Sequence, residues 1–401
     1  MIAGQHAPKG NLAGNRTRSP RETFDEYRRF MPEMGITRIA DITGLDYIGI
    51  PVSIAIRPNS RAMSTSQGKG IDVDSARTAA LMEAIESWHA EHIDRPLRWD
   101  SFASLRRNAH VADVTRLPLC RGGKLRPGLP QLWIEGFDIM QARPCWVPFD
   151  LVTSYYVEPM APGQHARSSI GLASGNHLLE AIVHGLCEVI ERDAEELWNA
   201  CDDIHQVALE TVDAEDVRAL LERIHAAGVS CFAFDITSDT GIPTFLCSIM
   251  ERPVRGALRA LGIHSGSGCH LSAAVALSRA IVEAAQTRLT FISGSRDDLY
   301  REGYARSKQP EVLEEMWTVA SGNATHPLDA ARCSPTDSFE GDLRVLLDSL
   351  GRIGIESVIA VDLTKDRFRI PVVRVIVPGL EAGSEVSEQG DRVRQRMERR
   401  S

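Results

Sequence analysis

Three segments of the chain combine an apolar helical pattern with regularly spaced acidic residues. They cover residues 75–88, 174–193 and 271–288, and each is rich in Ala, Leu, Ile and Val. This composition at helical spacing predicts three buried helices. Within the first two, Glu recurs at i, i+3 or i, i+4, which places the carboxylates on one helical face, and the third contains Glu283. Because buried carboxylates without a partner are very costly, the three helices predict a site that binds cations.

Shorter stretches around these helices predict strands. Residues 52–57 alternate between apolar and polar positions and end at Pro58, and residues 133–137 and 145–149 have the composition of strands. Residues 61–74 are small, polar and rich in glycine, so they predict a loop that leads into the first acidic helix.

A weak internal repeat follows the second acidic helix. Residues 219–243 and 346–371 each contain a helical stretch, a Gly, a strand, an Asp-x-Thr turn and an Ile-Pro pair. Each Gly is expected to end its helix, and Asp235 and Asp362 are expected to form turns rather than to act in catalysis. Two copies imply a duplicated helix–strand unit in an α+β fold rather than a solenoid, which needs more repeats.

The two ends of the chain differ from its middle. Residues 1–36 are polar and basic with little periodicity, and they predict a mobile arm with a short helix near residues 21–30. One domain is expected over residues 37–381. Residues 382–401 are polar and then basic, which favours a solvated tail over a helix.

Composition narrows the class of protein. The chain has 401 residues, of which 43% are hydrophobic and 25% charged, and its formal net charge is −9. This balance is ordinary for a globular protein and argues against a general nucleic-acid binder. Eight scattered cysteines without a C-x-x-C pair suit reduced thiols in the cytoplasm. The sequence has no apolar run long enough to span a bilayer and no apolar N-terminal segment of the kind found in signal peptides.

The spacing of the acids suggests Mg²⁺ bound together with phosphate. The candidate ligands are Glu83 and Glu86 on the first helix and Glu180, Glu188 and Glu191 on the second. Five carboxylates on two helices suffice for more than one Mg²⁺, with phosphate oxygens as the remaining ligands. A triphosphate also needs cations, for which Lys69, Arg192 and Arg288 are candidates. Amides and hydroxyls that could contact a nucleoside are those of Asn176, Gln286, Ser174 and Ser278.

Each of these residues also has a simpler structural interpretation. Glu83 and Glu86 alone would usually form a solvated helix face, and His184 is more easily explained as an interior histidine than as a ligand. Lys69 lies between two glycines, but the G-x-x-x-x-G-K-[ST] spacing of a Walker A loop is absent. The cysteines are better explained as core residues than as nucleophiles. The nucleotide site is therefore predicted from the combination of features.

The three acidic segments also resemble the ATP-binding motifs of the YcaO family. The matching residues are Ser75…Glu83-Ala-Ile-Glu86, Ser174-Gly-Asn176…Glu180-Ala…Glu188-Val-Ile-Glu191-Arg192-Asp193 and Ser278…Glu283-Ala-Ala-Gln286-Thr-Arg288. The resemblance covers about residues 37–381. It implies an α+β fold with mixed sheets, in which acidic helices surround an ATP and Mg²⁺ site. It further implies that the five acids named above bind Mg²⁺, that Lys69, Arg192 and Arg288 contact phosphates, and that Asn176, Glu283 and Gln286 help to place the nucleotide.

Members of the YcaO family activate peptide backbone amides. A nucleophile adds to the amide carbonyl, ATP phosphorylates the resulting oxyanion, and phosphate leaves. A neighbouring Cys, Ser or Thr side chain gives an azoline ring, whereas external sulfide gives a thioamide. The chain ends Met397-Glu-Arg-Arg-Ser401 and lacks the P-x-P-x-P tail that is common in azoline-forming members.

The closing strand, within residues 370–381, is similar to that of YcaO proteins paired with TfuA, a group linked to thioamide formation. The resemblance therefore implies a cytoplasmic thioamide-forming enzyme that acts on a peptide or protein together with a TfuA-like partner. It also makes a homodimer plausible.

Three alternatives stay open from the sequence. The first is an azoline-forming cyclodehydratase. The second is a non-catalytic accessory or peptide-docking subunit, although the presence of every motif acid weighs against a degenerate site. The third is a carboxylate-bridged di-metal redox protein, which is disfavoured because these helices lack the Glu-x-x-His pairs of such bundles.

Overall fold

The computed structural model describes most of the chain and places it in three β-sheets with helices packed against them. The described residues are 7–10, 16–156, 164–200, 204–252, 261–295, 309–322, 324–328, 334–383 and 387–398. Within these ranges, no helix is long and apolar enough to cross a membrane.

The largest sheet has six strands, and all its strand pairs are antiparallel within the described residues. Its order is β4 (Leu97–Ser101), β5 (Pro130–Asp138), β11 (Ile359–Asp362), β12 (Val372–Ile376) and β7 (Leu172–Ser174), with β6 (Arg143–Pro148) also paired to β5. The strands predicted at 133–137 and 145–149 are therefore confirmed as parts of β5 and β6, apart from residue 149.

Different apolar clusters cover the two faces of this sheet at its central strand β11, where neighbouring residues point to opposite sides. Ile359 belongs to one apolar cluster, which contains Leu81 and Ile85 of α2 (Val73–Glu91). Ala360 belongs to a second cluster, which contains residues of α4 (Leu178–Asn199) and α8 (Phe339–Arg352). The sheet thus lies between the first and second acidic helices.

The other two sheets have three strands each, and each leads into an acidic helix. One is formed by β1 (Arg38–Asp41), β2 (Val52–Ile56) and β3 (Thr65–Lys69), which precedes α2. The other is formed by β8 (Ser230–Asp235), β9 (Thr244–Met250) and β10 (His264–Cys269), which precedes α6 (Ala273–Ser293). The strand predicted at 52–57 is confirmed as β2, apart from residue 57. The loop predicted over 61–74 is wrong at Thr65–Lys69, where β3 pairs with β2 along its whole length.

Glycine allows the last strand of each three-stranded sheet to lie directly on its helix. A Cβ on Gly68 would lie 2.1 Å from the carbonyl oxygen of Ala76 and from the amide nitrogen of Ala80. A Cβ on Gly268 would lie 2.2 Å from the carbonyl oxygen of Ala276 and 2.7 Å from the amide nitrogen of Ala280. Main chain therefore packs on main chain in both units, at positions that correspond along the sequence.

The repeat predicted from the sequence has the expected local structure in both copies. In one, α5 (Glu215–Ala226) precedes β8 and β9, and in the other α8 precedes β11 and β12. Gly228 and Gly354 follow the two helices with φ of +70° and +81°. Asp235 and Asp362 accept hydrogen bonds from the amides two residues later, at 3.0 and 2.9 Å. The two units lie in different sheets, and a common origin by duplication stays a prediction.

Parts of both chain ends pack on the domain. In the predicted arm, α1 (Pro20–Tyr27) lies on α2, where the Thr78 hydroxyl donates to the carbonyl of Pro20 at 2.7 Å. In the predicted tail, α9 (Asp391–Glu398) docks on α4, where Arg392 Nε and Asp193 Oδ1 are 2.8 Å apart. Asp193 is fully buried, so this part of the tail is a packed helix. The remaining described helices are α3 (Phe102–Leu105) and α7 (Pro310–Ala320).

Candidate functional site

The first pair of site carboxylates joins α2 to α4. The hydroxyl of Ser174 donates to Glu86 Oε1 at 2.6 Å, and the amide of Gly171 donates to Glu188 Oε2 at 3.2 Å. Burial, together with the charges of Glu83 and Glu188, raises the pKa of Glu86 to about 8, although the hydrogen bond from Ser174 opposes this rise. Burial also raises the pKa of Glu188 to about 7. The two carboxylates disfavour each other's ionised state, and a hard cation bound between them would remove this repulsion.

The second pair of carboxylates joins α4 to the third acidic helix. Glu191 accepts hydrogen bonds from Ser267 Oγ at 3.1 Å and from the amide of Cys269 at 2.8 Å. Burial raises its pKa, and the charge of Glu283 adds to this effect. Since Ser267 and Cys269 belong to β10, the same strand that supports α6 also fixes Glu191.

Cations surround this second pair. Lys69 Nζ lies 2.6 Å from Glu283 Oε2, and Arg192 Nη2 lies 3.5 Å from Glu191 Oε1 and 3.8 Å from Glu283 Oε1. Burial tends to raise the pKa of Glu283, but the charges of Lys69 and Arg192 outweigh it and lower that pKa. Lys69 comes from the end of β3 and Arg192 from α4, so three elements meet here.

Arg279 is a further cation at this site that the sequence interpretation missed. It lies one helical turn before Glu283 on α6, and its Nη2 is 3.3 Å from His184 Nδ1. Its charge opposes the rise in the pKa of Glu191 and contributes to the lowered pKa of Glu283. The i, i+4 spacing to Glu283 is the signal that could have found it.

The N-terminal segment supplies contacts that the sequence did not predict. Arg16 Nη1 lies 3.1 Å from Glu180 Oε1, and the hydroxyl of Thr17 donates to Glu180 Oε2 at 2.6 Å. Glu180 is only 2% exposed as a result. Asn176 Nδ2 donates to the hydroxyl of Thr23 at 3.0 Å. These contacts could not be predicted from the sequence, because residues 1–36 have no periodic pattern.

The remaining predicted residues lie on α6 in different environments. Ser278 is half-buried. Gln286 has a buried Oε1 without a hydrogen-bond partner within the described part of the chain. Arg288 is fully buried, with its guanidinium 2.9 Å from Asp46 and 2.7 Å from Glu251. Neither Asp46 nor Glu251 belongs to the predicted set of site residues. Of that set, the structure brings Lys69, Arg192, Glu191 and Glu283 into one cluster.

The geometry of the carboxylates fits Mg²⁺ held jointly with a ligand. Among the described residues, no three His, Cys, Asp or Glu side chains converge closely enough to hold a metal ion. The acids instead come in pairs with oxygen donors, which hard cations prefer, and Mg²⁺ usually completes its shell with water and phosphate oxygens. His184 is held against Arg279, and burial lowers its pKa well below the ordinary range, as expected of an interior histidine.

Comparison with known proteins identifies the family. A model of a family described as YcaO cyclodehydratases that bind ATP and Mg²⁺ matches residues 67–381. A protein of Rhizobium leguminosarum bv. trifolii, described as uncharacterized and in the tfuA 3′ region, is 35% identical over 92% of this chain and 89% of its own. An uncharacterized protein of Methanothermobacter thermautotrophicus is 38% identical over 94% of this chain and 97% of its own.

Solved structures confirm the fold. A heterocyclase in complex with substrate and cofactor has a TM-score of 0.79 at 20% identity over 97% of this chain, which spans 55% of that longer protein. YcaO from Methanopyrus kandleri, bound with AMPPCP and Mg²⁺, has a TM-score of 0.73 at 22% identity over 96% of this chain and 99% of that one. The α+β fold and the cofactors ATP and Mg²⁺ expected from the sequence are those of this family. The chain belongs to the YcaO family of ATP- and Mg²⁺-binding cyclodehydratases.

Proposed function

We propose that this chain uses ATP and Mg²⁺ to activate a peptide backbone amide by phosphorylating the amide oxygen, and that the main product is a thioamide. The observation that carries the proposal is the set of paired carboxylates, the half-buried Glu86 with Glu188 and the buried Glu191 with the half-buried Glu283, beside cationic side chains. Such a site suits phosphoryl transfer, in which the protein mainly positions reactants and neutralises charge.

The chain's own residues would bind and orient the reactants. When bound, Mg²⁺ neutralises phosphate charge and ATP supplies the γ-phosphoryl group. Glu83, Glu86, Glu180, Glu188 and Glu191 are the proposed Mg²⁺ ligands, and Ser174 and Gly171 hold two of them in place. Lys69, Arg192 and Arg279 are the proposed contacts to phosphate oxygens. Arg288 is proposed as a fourth contact because it belongs to the third matching motif. Asn176, Ser278, Glu283 and Gln286 would help to place the nucleoside.

The reaction balances without a nucleophile from the protein. Sulfide adds to the amide carbonyl carbon, and the resulting oxyanion takes the γ-phosphoryl group from ATP, which leaves as ADP. The C–O bond then breaks, so the amide oxygen departs in phosphate while sulfur keeps its bond to carbon. The protein's part is to stabilise the charge that develops on oxygen and phosphorus.

Thioamide formation with a TfuA-like partner is supported by the relative described as lying in the tfuA 3′ region. Azoline formation is the second candidate, and the likeness to a heterocyclase of known structure favours it. In either case we propose a peptide or protein substrate, a cytoplasmic location where free thiols stay reduced, and a homodimer.

Calorimetric titration with ATP and Mg²⁺ tests the site. We expect Mg²⁺-dependent binding by the wild-type protein and at least tenfold weaker binding by a Glu86→Gln/Glu188→Gln variant, because two ligand charges are removed. Glu222→Gln, at an exposed position of α5, is the matched control and should bind like the wild type. If the wild type does not bind even with the TfuA-like partner present, the proposal fails.

Product mass then separates the two reactions. A complete reaction contains the partner, peptide, sulfide, ATP and Mg²⁺. Replacement of oxygen by sulfur raises the peptide mass, whereas loss of water lowers it. An unmodified peptide together with nucleotide binding but no turnover would identify a non-catalytic accessory subunit instead.

A further inference from the structure

β4 is an edge strand with apolar side chains exposed on one face. Among the described residues it pairs only with β5, along its whole length. Leu97 and Trp99, two positions apart and therefore on the same side, are 37% and 57% exposed. An exposed apolar edge strand is a template for pairing with another chain, which proteins usually cover or block.

The segment of the chain that contains β4 is basic although the whole chain is acidic. Residues 95–126 contain eight Arg and Lys against two Asp, whereas the formal net charge of the protein is −9. Arg106 and Arg107 are exposed at the end of α3, which directly follows β4. The amide of Ala103 donates to the carbonyl of Pro127 at 2.9 Å, which holds the exposed Arg126 beside them.

We propose that the β4 edge binds an extended acidic peptide segment as an additional strand, and that this segment belongs to the peptide substrate. Main-chain hydrogen bonds of the edge would give affinity, Leu97 and Trp99 would select apolar side chains, and Arg106, Arg107 and Arg126 would select negative charge. The assignment of the segment to the substrate rests on the proposed function, whereas the binding of an acidic strand does not.

Fluorescence anisotropy of labelled synthetic peptides tests this surface. The probe is a peptide of about ten residues, the upper end of ordinary strand length, that alternates Leu or Val with Glu. We expect it to bind at least tenfold more tightly than the same peptide with Lys in place of Glu. We also expect it to bind at least tenfold more tightly than a version in which Pro replaces alternate residues and prevents strand pairing.

Variants of the chain localise the binding. Leu97→Ser/Trp99→Ser and Arg106→Glu/Arg107→Glu should each weaken binding of the Glu peptide at least tenfold. Val319→Ser on α7 and Arg218→Glu on α5, which are equally exposed positions elsewhere, should leave it unchanged. Unchanged titration with ATP and Mg²⁺ by all four variants shows that they are folded.

Three results would overturn the proposal: equal binding of the Glu and Lys peptides, equal binding of the Pro peptide, or no effect of the edge variants. A fourth test is sedimentation of the Leu97→Ser/Trp99→Ser variant, which shows whether a second copy of the chain occupies the edge instead. If a wild-type dimer dissociates in that variant, the edge is a contact between two copies and the proposal is wrong. Peptide binding by a chain that fails to bind ATP would reject the proposed function and leave the acidic-strand site standing.

Discussion

Two arginines of α6 show how much the role of a residue depends on its partners. Arg279 is half-buried and contacts His184 and the carbonyl of Cys269 beside the paired carboxylates. Arg288 is fully buried, where Asp46 and Glu251 hold its charge. The buried charge of Arg288 is already compensated by two carboxylates, whereas the half-buried Arg279 is more accessible to a ligand.

Arg279→Met should therefore weaken binding of ATP with Mg²⁺ by about 10- to 100-fold, since a hydrogen bond to a charged group contributes about 1.5–3 kcal/mol. Calorimetric titration measures the change, and Arg279→Lys should recover part of the affinity because it keeps the charge. Arg218→Met, at an exposed position of α5, is the control. Wild-type affinity in the Arg279→Met variant would show that this side chain does not contact the nucleotide.

At the scale of elements, the sequence predicts the acidic helices well and β3 poorly. The helical pattern at 75–88 and 271–288 corresponds to α2 and α6, because Ala, Leu and Ile at helical spacing must be buried wherever the helix packs. Thr65–Lys69 contains no alternating apolar pattern, and its pairing with β2 and its contact with α2 decide its structure. Those partners are tertiary, so local sequence carries no signal for them.

The close contact between β3 and α2 gives a prediction at this scale. Gly68→Ala places a Cβ where the backbone of Ala76 and Ala80 already lies, so the strand and helix must separate. We expect a loss of about 1–3 kcal/mol in the free energy of unfolding, as for other overpacked sites. Urea denaturation measures it. Gly128→Ala, with no atom within 4 Å of the added Cβ, should lie within about 0.5 kcal/mol of the wild type.

At the scale of the whole molecule, three buried histidines outside the candidate site make stability depend on pH. Burial lowers the pKa of His89, His165 and His264 from 6.5 to about 4. Between these pH values the unfolded chain binds protons that the folded chain does not. The stability that these three histidines contribute is therefore complete above about pH 6.5 and is lost as the pH decreases toward 4. The raised pKa values of Glu86 and Glu188 act in the opposite direction, so the contribution of a histidine is read from the difference between wild type and variant.

Urea denaturation at several pH values between 7.5 and 4.5 measures this loss, which should approach about 1.4 kcal/mol per pH unit for each histidine. His89→Gln should reduce the slope by up to one proton, and replacement of the exposed His225 should not change it. An identical pH dependence in the wild type and in the His89→Gln variant would contradict the buried neutral state of His89.

The whole site was only partly predictable for the same reason as β3. Glu86, Glu188, Glu191 and Glu283 could be found because each lies in a patterned helix. The contacts of Arg16 and Thr17 with Glu180 could not, because about 160 residues separate them in sequence and no pattern marks residues 1–36. The pairing of Arg288 with Asp46 could not be predicted for the same reason, since it joins residues 242 positions apart.

The contact of main chain with main chain at Gly68 and Gly268 has a mechanical consequence. A layer of side chains between a strand and a helix can adjust by changing rotamers, but no such layer exists at these two points. The spacing of each strand from its helix is therefore set by atoms without torsional freedom. The frame that carries the acids is stiff, and adaptation to a new peptide would have to come from the edge strands and loops around it.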